Sequence, residues 1–322
     1  MKTRILFAVF LIFGFGAFSN ITHAQDASAL RIVVGFGAGG STDGIARLLS
    51  EHLSSELNRP VVVENKPGAL GVIAVRDTIN ARSDNPLFLI SPFSSIVFPP
   101  ITNPSVRYDI FSDLRAVASL TSYPLAVVAG KETNVTEPKG FVQAVNSNSV
   151  RPQFSVNGTG GHTHLLSLEI GELFEPNTQA VPYRGDNAAI IDVIGGHIPF
   201  GVVVAGSAIP YMEAGNLNVV GVLSPDRSPL MPEIPTFKES GFDVDSGEAW
   251  FGMWTSSKTN EKLIKDVEKA VELVLNKPEV KGVIERNWSM SAEFLSGEAT
   301  DSRLRADSEH WSPVIKANGL AR

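Results

Sequence analysis

The sequence predicts an α/β chain of two lobes, each a mainly parallel sheet flanked by helices. Three observations carry that reading. Short apolar runs rich in Val and Ile alternate with amphipathic stretches almost throughout, as strands joined by crossover helices do. Two glycine-rich turns, at 35–40 and 158–161, each stand between such a run and an amphipathic stretch. The chain has 322 residues and 43% hydrophobic composition, ample for two domains of roughly 100–200 residues each.

Residues 1–24 read as a cleavable export signal. Lys2 and Arg4 form a basic start, Ile5 to Phe18 an apolar run, and Thr22-His-Ala24 a small-residue cleavage site before Gln25. This predicts a periplasmic protein. No second run of about 18 apolar residues follows, so no direct membrane insertion of the mature chain is expected. The absence of cysteine excludes disulfides and a lipid-modified cleavage site. Cleavage leaves 25 Lys and Arg against 34 Asp and Glu, a balance of −9. That balance argues against nucleic acid or an anionic membrane surface as partner, so an anionic ligand has to be captured locally.

The mature chain opens on a strand at Arg31–Val34 and a glycine turn. A helix follows at Thr42–Leu57, with Ile45, Leu48, Leu49 and Leu53 at helical spacing. Further strands are expected at Val61–Glu64 and Leu87–Ser91. A second series runs Leu125–Ala129, Gln153–Val156, Ala180–Pro182, Ile198–Val204 and Val219–Leu223. Helices at Thr163–Phe174 and Asp186–Ile194 lie within it, the latter with Asp186 as N-cap and Gly195-Gly196 as stop signal. Residues 224–241 hold four prolines without periodicity and read as an ordered surface loop. Ala249–Trp254 reads as a buried strand, with Trp250, Phe251 and Trp254 in the core. Helices at Glu261–Leu275, Pro278–Arg286 and Gly297–Ala317 finish the chain, and Pro313 is expected to kink or interrupt the last. One lobe then comprises 25–123 plus 249–322, the other 124–248.

Both glycine turns suit an anion, because unhindered backbone can present several N–H groups at the positive end of a helix. Each would offer donors to one carboxylate, and Ser41, Thr42, Asn157 and Thr159 add side-chain donors. Taken singly, either is equally readable as a plain tight turn. Gly35-Phe-Gly37-Ala-Gly-Gly40 also satisfies GxGxxG, and Glu64 stands 24 residues past Gly40, as a dinucleotide site requires. Asp43 at the helix start opposes that reading, since it would repel a pyrophosphate. An exported Rossmann-type NAD(P)-dependent oxidoreductase is therefore the alternative, not the first choice.

Catalytic and metal chemistry find little support. His162 and His164 have no third or fourth ligand nearby, so no metal is expected; His164 is read as bracing its loop and His162 as exposed. There is no cysteine and no GxSxG elbow, and Ser41 with Asp43 lacks a histidine at a triad position. No enzyme activity and no cofactor are predicted. Tyr183 is expected to line the cleft. Arg184 is either a bidentate carboxylate ligand or a solvated or interlobe cation. Ser91, Phe93 and Ser207 are candidates for the far end of the cleft.

Together, Val34 to Arg47, Pro60 to Gly68, Asn157 to His164, Val181 to Gly185 and Pro235 to Gly241 resemble the Bug-type extracytoplasmic solute receptors of tripartite tricarboxylate transporters. The resemblance spans nearly the whole mature chain, in order. It implies a two-lobed Venus-flytrap receptor that binds a small organic acid, often a di- or tricarboxylate, without chemistry. Delivery to the transporter's membrane components is implied with it. The family's pincer on one ligand carboxylate maps onto Gly37, Ala38, Gly39, Gly40, Ser41, Thr42 and Asp43 in the first turn, and Phe36 matches the family's aromatic that closes over the ligand. In the second it maps onto Asn157, Gly158, Thr159, Gly160 and Gly161, with His164 at the family's histidine position. Tyr183, Arg184 and Gly185 match a further cleft segment. Two departures stand out: Gly35 replaces a usual proline, which predicts a looser turn, and Gly161 replaces a common hydroxyl residue.

Overall fold

The computed structural model describes residues 29–321, apart from 148, 175–177, 184, 243 and 245–247. The proposed export signal and Arg184 thus lie outside the described residues. The first lobe begins with β1 (Leu30–Val34), α1 (Ser41–Glu56), β2 (Val61–Asn65), α2 (Val72–Ile79), β3 (Leu87–Pro92), α3 (Ser94–Thr102) and β4 (Leu114–Tyr123). The second contains β5 (Leu125–Gly130), α4 (Pro138–Asn146), β6 (Gln153–Asn157), α5 (His162–Phe174), β7 (Gln179–Tyr183), α6 (Asp186–Ile194), β8 (Phe200–Val204), α7 (Ala205–Glu213) and β9 (Leu217–Val222). The chain then returns to the first lobe with β10 (Ala249–Ser256), α8 (Glu261–Leu275), α9 (Pro278–Trp288), β11 (Ser291–Ser296) and α10 (Gly297–Ala317).

The strand orders are β11-β4-β10-β3-β1-β2 and β7-β6-β8-β5-β9, which gives two α/β lobes. Both sheets are mixed, not mainly parallel as expected. In the first, β1 pairs in parallel with β2 and β3, while β10 runs antiparallel to β3 and β4. The reason is connectivity: the strand by which the chain leaves this lobe and the one by which it returns lie side by side and point opposite ways. In the second sheet β5 runs antiparallel to both β8 and β9. The antiparallel strands pack beside the parallel units whose C-terminal ends carry the glycine turns.

Burial follows the strand period. In β5, Val127 and Ala129 join the aromatic face of the second sheet, with Phe141, Phe154, Phe200 and Phe237, while Ala126 and Val128 face the other side with Ala189 and Val203. The centre of the first sheet is fully buried at Ile32, Val33, Phe88, Leu89, Trp250 and Trp254. Two strands, β4 and β11, had no clear sequence signal. β4 is nearly all buried, but Ser119, Thr121 and Ser122 break its apolar run. β11 is a half-buried edge strand.

Pro313 does not interrupt α10, which runs unbroken from Gly297 to Ala317. Trp311 and Ile315, both 0% exposed, anchor the helix on either side of the proline. Burying two such side chains offsets a proline cost of about 3 kcal/mol. Residues 224–241 form an ordered loop as expected: Thr236 bridges to Val222, and Phe237 is 1% exposed. No helix among the described residues is long and apolar enough to cross a membrane.

Candidate ligand-binding cleft

The turn between β1 and α1 is braced from inside its own helix. Gly39 takes φ +86°, and its N–H donates to Asp43 Oδ2 at 2.9 Å. Arg47 Nε donates to the same oxygen at 3.0 Å, while Asn65 Nδ2 donates to Asp43 Oδ1 at 2.8 Å. Asn65 also donates to the Phe36 carbonyl, tying the start of the turn to β2. Burial pushes the Asp43 carboxyl up, but the bonds from Arg47, Gly39 and Asn65 outweigh it and hold it below the ordinary carboxylate value. Gly40 caps α1 without any side-chain bond, so the first N–H groups of the helix keep no capping partner. Gly35 is not loose: a Cβ there would lie 2.7 Å from the Gly71 Cα, so the turn is pinned by a close backbone approach.

The turn between β6 and α5 repeats this design with a different acceptor. Gly158 and Gly160 take φ +84° and +75°. The Gly160 N–H donates to His164 Nδ1 at 2.9 Å, which makes His164 the loop brace the sequence suggested. Burial holds the His164 imidazole below its ordinary value, so it stays neutral and accepts. Thr163 Oγ1 accepts from the Asn157 N–H at 2.8 Å.

Both turns open on one cavity of about 240 Å³. Of the predicted site residues, Phe36, Gly40, Ser41, Thr42, Asn157, Gly160 and Gly161 line it. Gly37, Ala38, Gly39, Asp43, Gly158, Thr159 and His164 belong to the turns without lining the cavity. Gly185, Ser91, Tyr183 and Ser207 also stand outside the lining. The Tyr183 hydroxyl instead donates to Asp192 at 2.6 Å, and its pKa is pushed up to about 12 by burial and that bond. Ser91 is 1% exposed within the first sheet, and Phe93 stacks on Trp250 with ring centroids 5.7 Å apart.

His162 corrects the sequence reading. It is only 7% exposed and lines the cavity. Its ring, on the second lobe, sits edge-on to Phe93, Phe98 and Trp311 of the first, at centroid distances of 5.1, 6.2 and 4.9 Å. Trp250 and Trp254 are core as expected, but Phe251 lines the cavity beside Tyr123, 5.2 Å between centroids. Leu70 also lines it. Ala69 and Leu70 take φ +48° and +54°, and that left-handed pair holds Leu70 at the rim near Gly158. Leu70, Tyr123, Phe98 and Met290 went unnoticed in the sequence because apolar or aromatic residues at those places read as core.

Asp186 was expected to cap α6. The N-cap is Gly185, at φ +105°, and Asp186 is the first helical residue. Its Oδ2 accepts from Ser207 Oγ at 3.2 Å and from the Val204 N–H at 3.4 Å. The residue lines the cavity, and its Oδ1 is enclosed with no hydrogen-bond partner. Burial pushes the Asp186 carboxyl up to about 6, against the pull of those two bonds. Burial, and the nearby Asp186, also raise the Tyr123 phenol, which therefore keeps its proton.

The dinucleotide alternative meets two obstacles. Glu64, the acid such a site would use on a ribose, is gripped by Arg31 through a fork of 2.6 and 2.8 Å. The Gly39 N–H already serves Asp43. Among the described residues no group of His, Asp and Glu is placed to hold a metal ion.

A family described as tripartite tricarboxylate transporter family receptor matches residues 45–320. The chain is 27% identical over 300 residues to BugT of Bordetella pertussis, covering 91% of this chain and 90% of that protein. It is 27% identical over 310 residues to a UPF0065 protein of Agrobacterium vitis, covering 93% and 88%. Among solved structures, one described as a periplasmic transporter matches at 26% identity and TM-score 0.81, covering 92% and 99% of the two chains. MatC from Rhodopseudomonas palustris, with bound malate, has the same fold at 22% identity and TM-score 0.78, covering 90% and 99%.

Proposed function

This chain belongs to the tripartite tricarboxylate transporter receptor family, and we propose that it captures a small organic acid in the periplasm and delivers it to the membrane components of such a transporter. The observation that carries the proposal is the pair of glycine turns, each at a helix start, opening on one cavity. The uncapped N–H groups of Ser41 and Thr42 meet the start of α5 there, and a carboxylate satisfies both sets at once. Phe36, Phe98, Tyr123 and Phe251 supply an apolar wall for the carbon skeleton. Related folds described with malate and with adipate support a small carboxylic acid as the ligand class. The ligand is carried unchanged: the two turns hold it, and no nucleophile paired with a base lines the cavity among the described residues.

Capture by backbone donors makes a sharp experimental distinction. Esterifying the carboxylate that the turns hold removes its charge and leaves buried N–H groups unpaired, at about 1–3 kcal/mol each. Calorimetric titration of acid and mono-ester at two salt concentrations should show at least a tenfold loss for the ester, about 1.4 kcal/mol. Affinity for the acid should change little with salt, because enclosed contacts are screened far less than exposed ones. Equal affinity for acid and ester, or turnover of the acid in a mass-spectrometric incubation, would refute the receptor reading.

A further inference from the structure

We propose that Asp186 sets the ligand's chemistry: the cleft takes a carboxylic acid that also carries an ammonium group, in preference to a dicarboxylate. This deepens the receptor reading and rests on it, since the turns are taken to hold the carboxylate.

The cavity wall carries an unbalanced charge. Asp186 Oδ2 is held by Ser207 Oγ and the Val204 N–H, so the carboxylate has a fixed orientation. Its Oδ1 is enclosed and bonded to nothing. Buried polar atoms are nearly always paired, and an enclosed carboxylate oxygen without a donor is costly to the ligand-free protein. No lysine or arginine among the described residues lines the cavity. Beside Asp186 in that wall stand Val204, whose N–H serves Oδ2, and Tyr123, neither of which can neutralise a charge. Among the described residues no group supplies the missing partner, and a ligand group can.

Three kinds of ligand group can meet that oxygen, and their electrostatics differ. A second carboxylate sets like charges against each other beside an oxygen already shut off from water, which is the worst case. A hydroxyl satisfies the lone pair but leaves the charge uncompensated. An ammonium does both, through a charge-assisted bond. Asp186 thus acts as the site's counter-ion, and Ser207, outside the cavity lining, acts as the positioning residue that aims it.

The test is a calorimetric panel at neutral pH of straight-chain acids of about four to six carbons. It holds unsubstituted acids, dicarboxylates, hydroxy acids, and amino acids with the amino group at successive positions. At least one amino acid should bind wild-type protein about tenfold or more tighter than the dicarboxylate of its length. Asp186→Asn should cost that amino acid about tenfold or more and leave the dicarboxylate equal or tighter. The wild-type ranking needs no variant to fold. A dicarboxylate binding tightest, or an unchanged ratio in Asp186→Asn, overturns the assignment of Asp186 while leaving the carboxylate pincer standing. If no acid in the panel binds, the pincer reading fails and this proposal falls with it.

Discussion

The two glycine turns solve one problem with opposite electrostatics. In each, a left-handed glycine gives its N–H to a side chain four residues later, Gly39 to Asp43 and Gly160 to His164. The first acceptor is an ionised carboxylate embedded in a network with Arg47 and Asn65. The second is a neutral imidazole with a single bond to its turn. The first turn gains strength from charge-assisted bonds and keeps Asp43 from repelling a ligand by tying up both its oxygens. The second is weaker but adds no negative charge beside the ligand. A positive-φ glycine and an acceptor at i+4 are thus the shared requirement, and charge is the adjustable part.

The largest effects should come from breaking the shared part. A Cβ at Gly39 or Gly160 meets nothing within 4 Å, so a side chain there acts through φ, and at Gly160 also by entering the cavity that this glycine lines. Gly39→Val and Gly160→Val should each lower affinity by about 100-fold or more, measured by calorimetry on folded protein. A loss confined to one of them would mean that the turns do not share a ligand group.

Removing the acceptors separates the turns. Asp43→Ala strands the Gly39 N–H, Asn65 and Arg47 together and should cost about 2–3 kcal/mol in denaturant unfolding. His164→Ala removes one bond and should cost about 1 kcal/mol. Acid distinguishes them further. Asp43 has a depressed pKa, so its stabilisation is present above the usual carboxylate value and lost only as pH falls through the lower folded value. His164 is also depressed, but as a base: its stabilisation is full above the unfolded imidazole value of about 6.5 and fades as pH drops through the folded one. Protection of the Gly160 amide, taken relative to the intrinsic exchange rate at each pH, should therefore fall as pH drops below about 6.5 while that of Gly39 holds. Parallel loss of both would contradict the assigned acceptors.

His162→Ala probes the second turn's outer side. Emptying the seat among Phe93, Phe98 and Trp311 should weaken ligand binding by about 5–20-fold, through the lost contact between the lobes and the lost part of the cavity wall. An unchanged affinity would return His162 to the bystander role that its sequence suggested.

A further effect, confined to the ligand-free protein, concerns a third helix start, where the acceptor is left unsatisfied. Asp186 is raised to about 6, so the folded state holds its proton more tightly than the unfolded one. An acid raised in this way costs nothing below its unfolded value and costs progressively more as pH rises through the folded value. Asp186→Asn should therefore stabilise the ligand-free protein by about 1–2 kcal/mol at pH 7 and by almost nothing at pH 4. Thermal unfolding at the two pH values decides it, and destabilisation at pH 7 would show that Asp186 is satisfied.

What the sequence made legible follows from which forces are local. Turns with glycine at fixed offsets, and strands such as β1, β3 and β5 with continuous apolar runs, announce themselves, and so did the two helix starts of the cleft. β4 did not, because its Ser and Thr residues are buried by neighbours far away in the chain. His162 and Asp186 were misplaced for the same reason. A histidine beside a glycine turn looks exposed until Trp311, at the far end of the chain, closes over it. An aspartate after glycine looks like a helix cap until Ser207 and Val204 claim one of its oxygens.

The contact of His162 with Trp311 also gives the protein an optical signal. The two rings lie on different lobes, edge-on at 4.9 Å, so parting the lobes has to separate them. Trp311 then exchanges an aromatic neighbour for water, and its emission should move to longer wavelength. Trp250 and Trp254 are fully buried in the first lobe and contribute a steady background, and the fourth tryptophan, half-buried Trp288, is told apart by substituting Trp311. Capture should accordingly read out as a blue shift in intrinsic fluorescence, titratable without a label and usable to screen acids before any is known to bind. Trp311→Phe should abolish the shift while leaving binding measurable by calorimetry; a shift that survives the substitution would place the moving surface elsewhere.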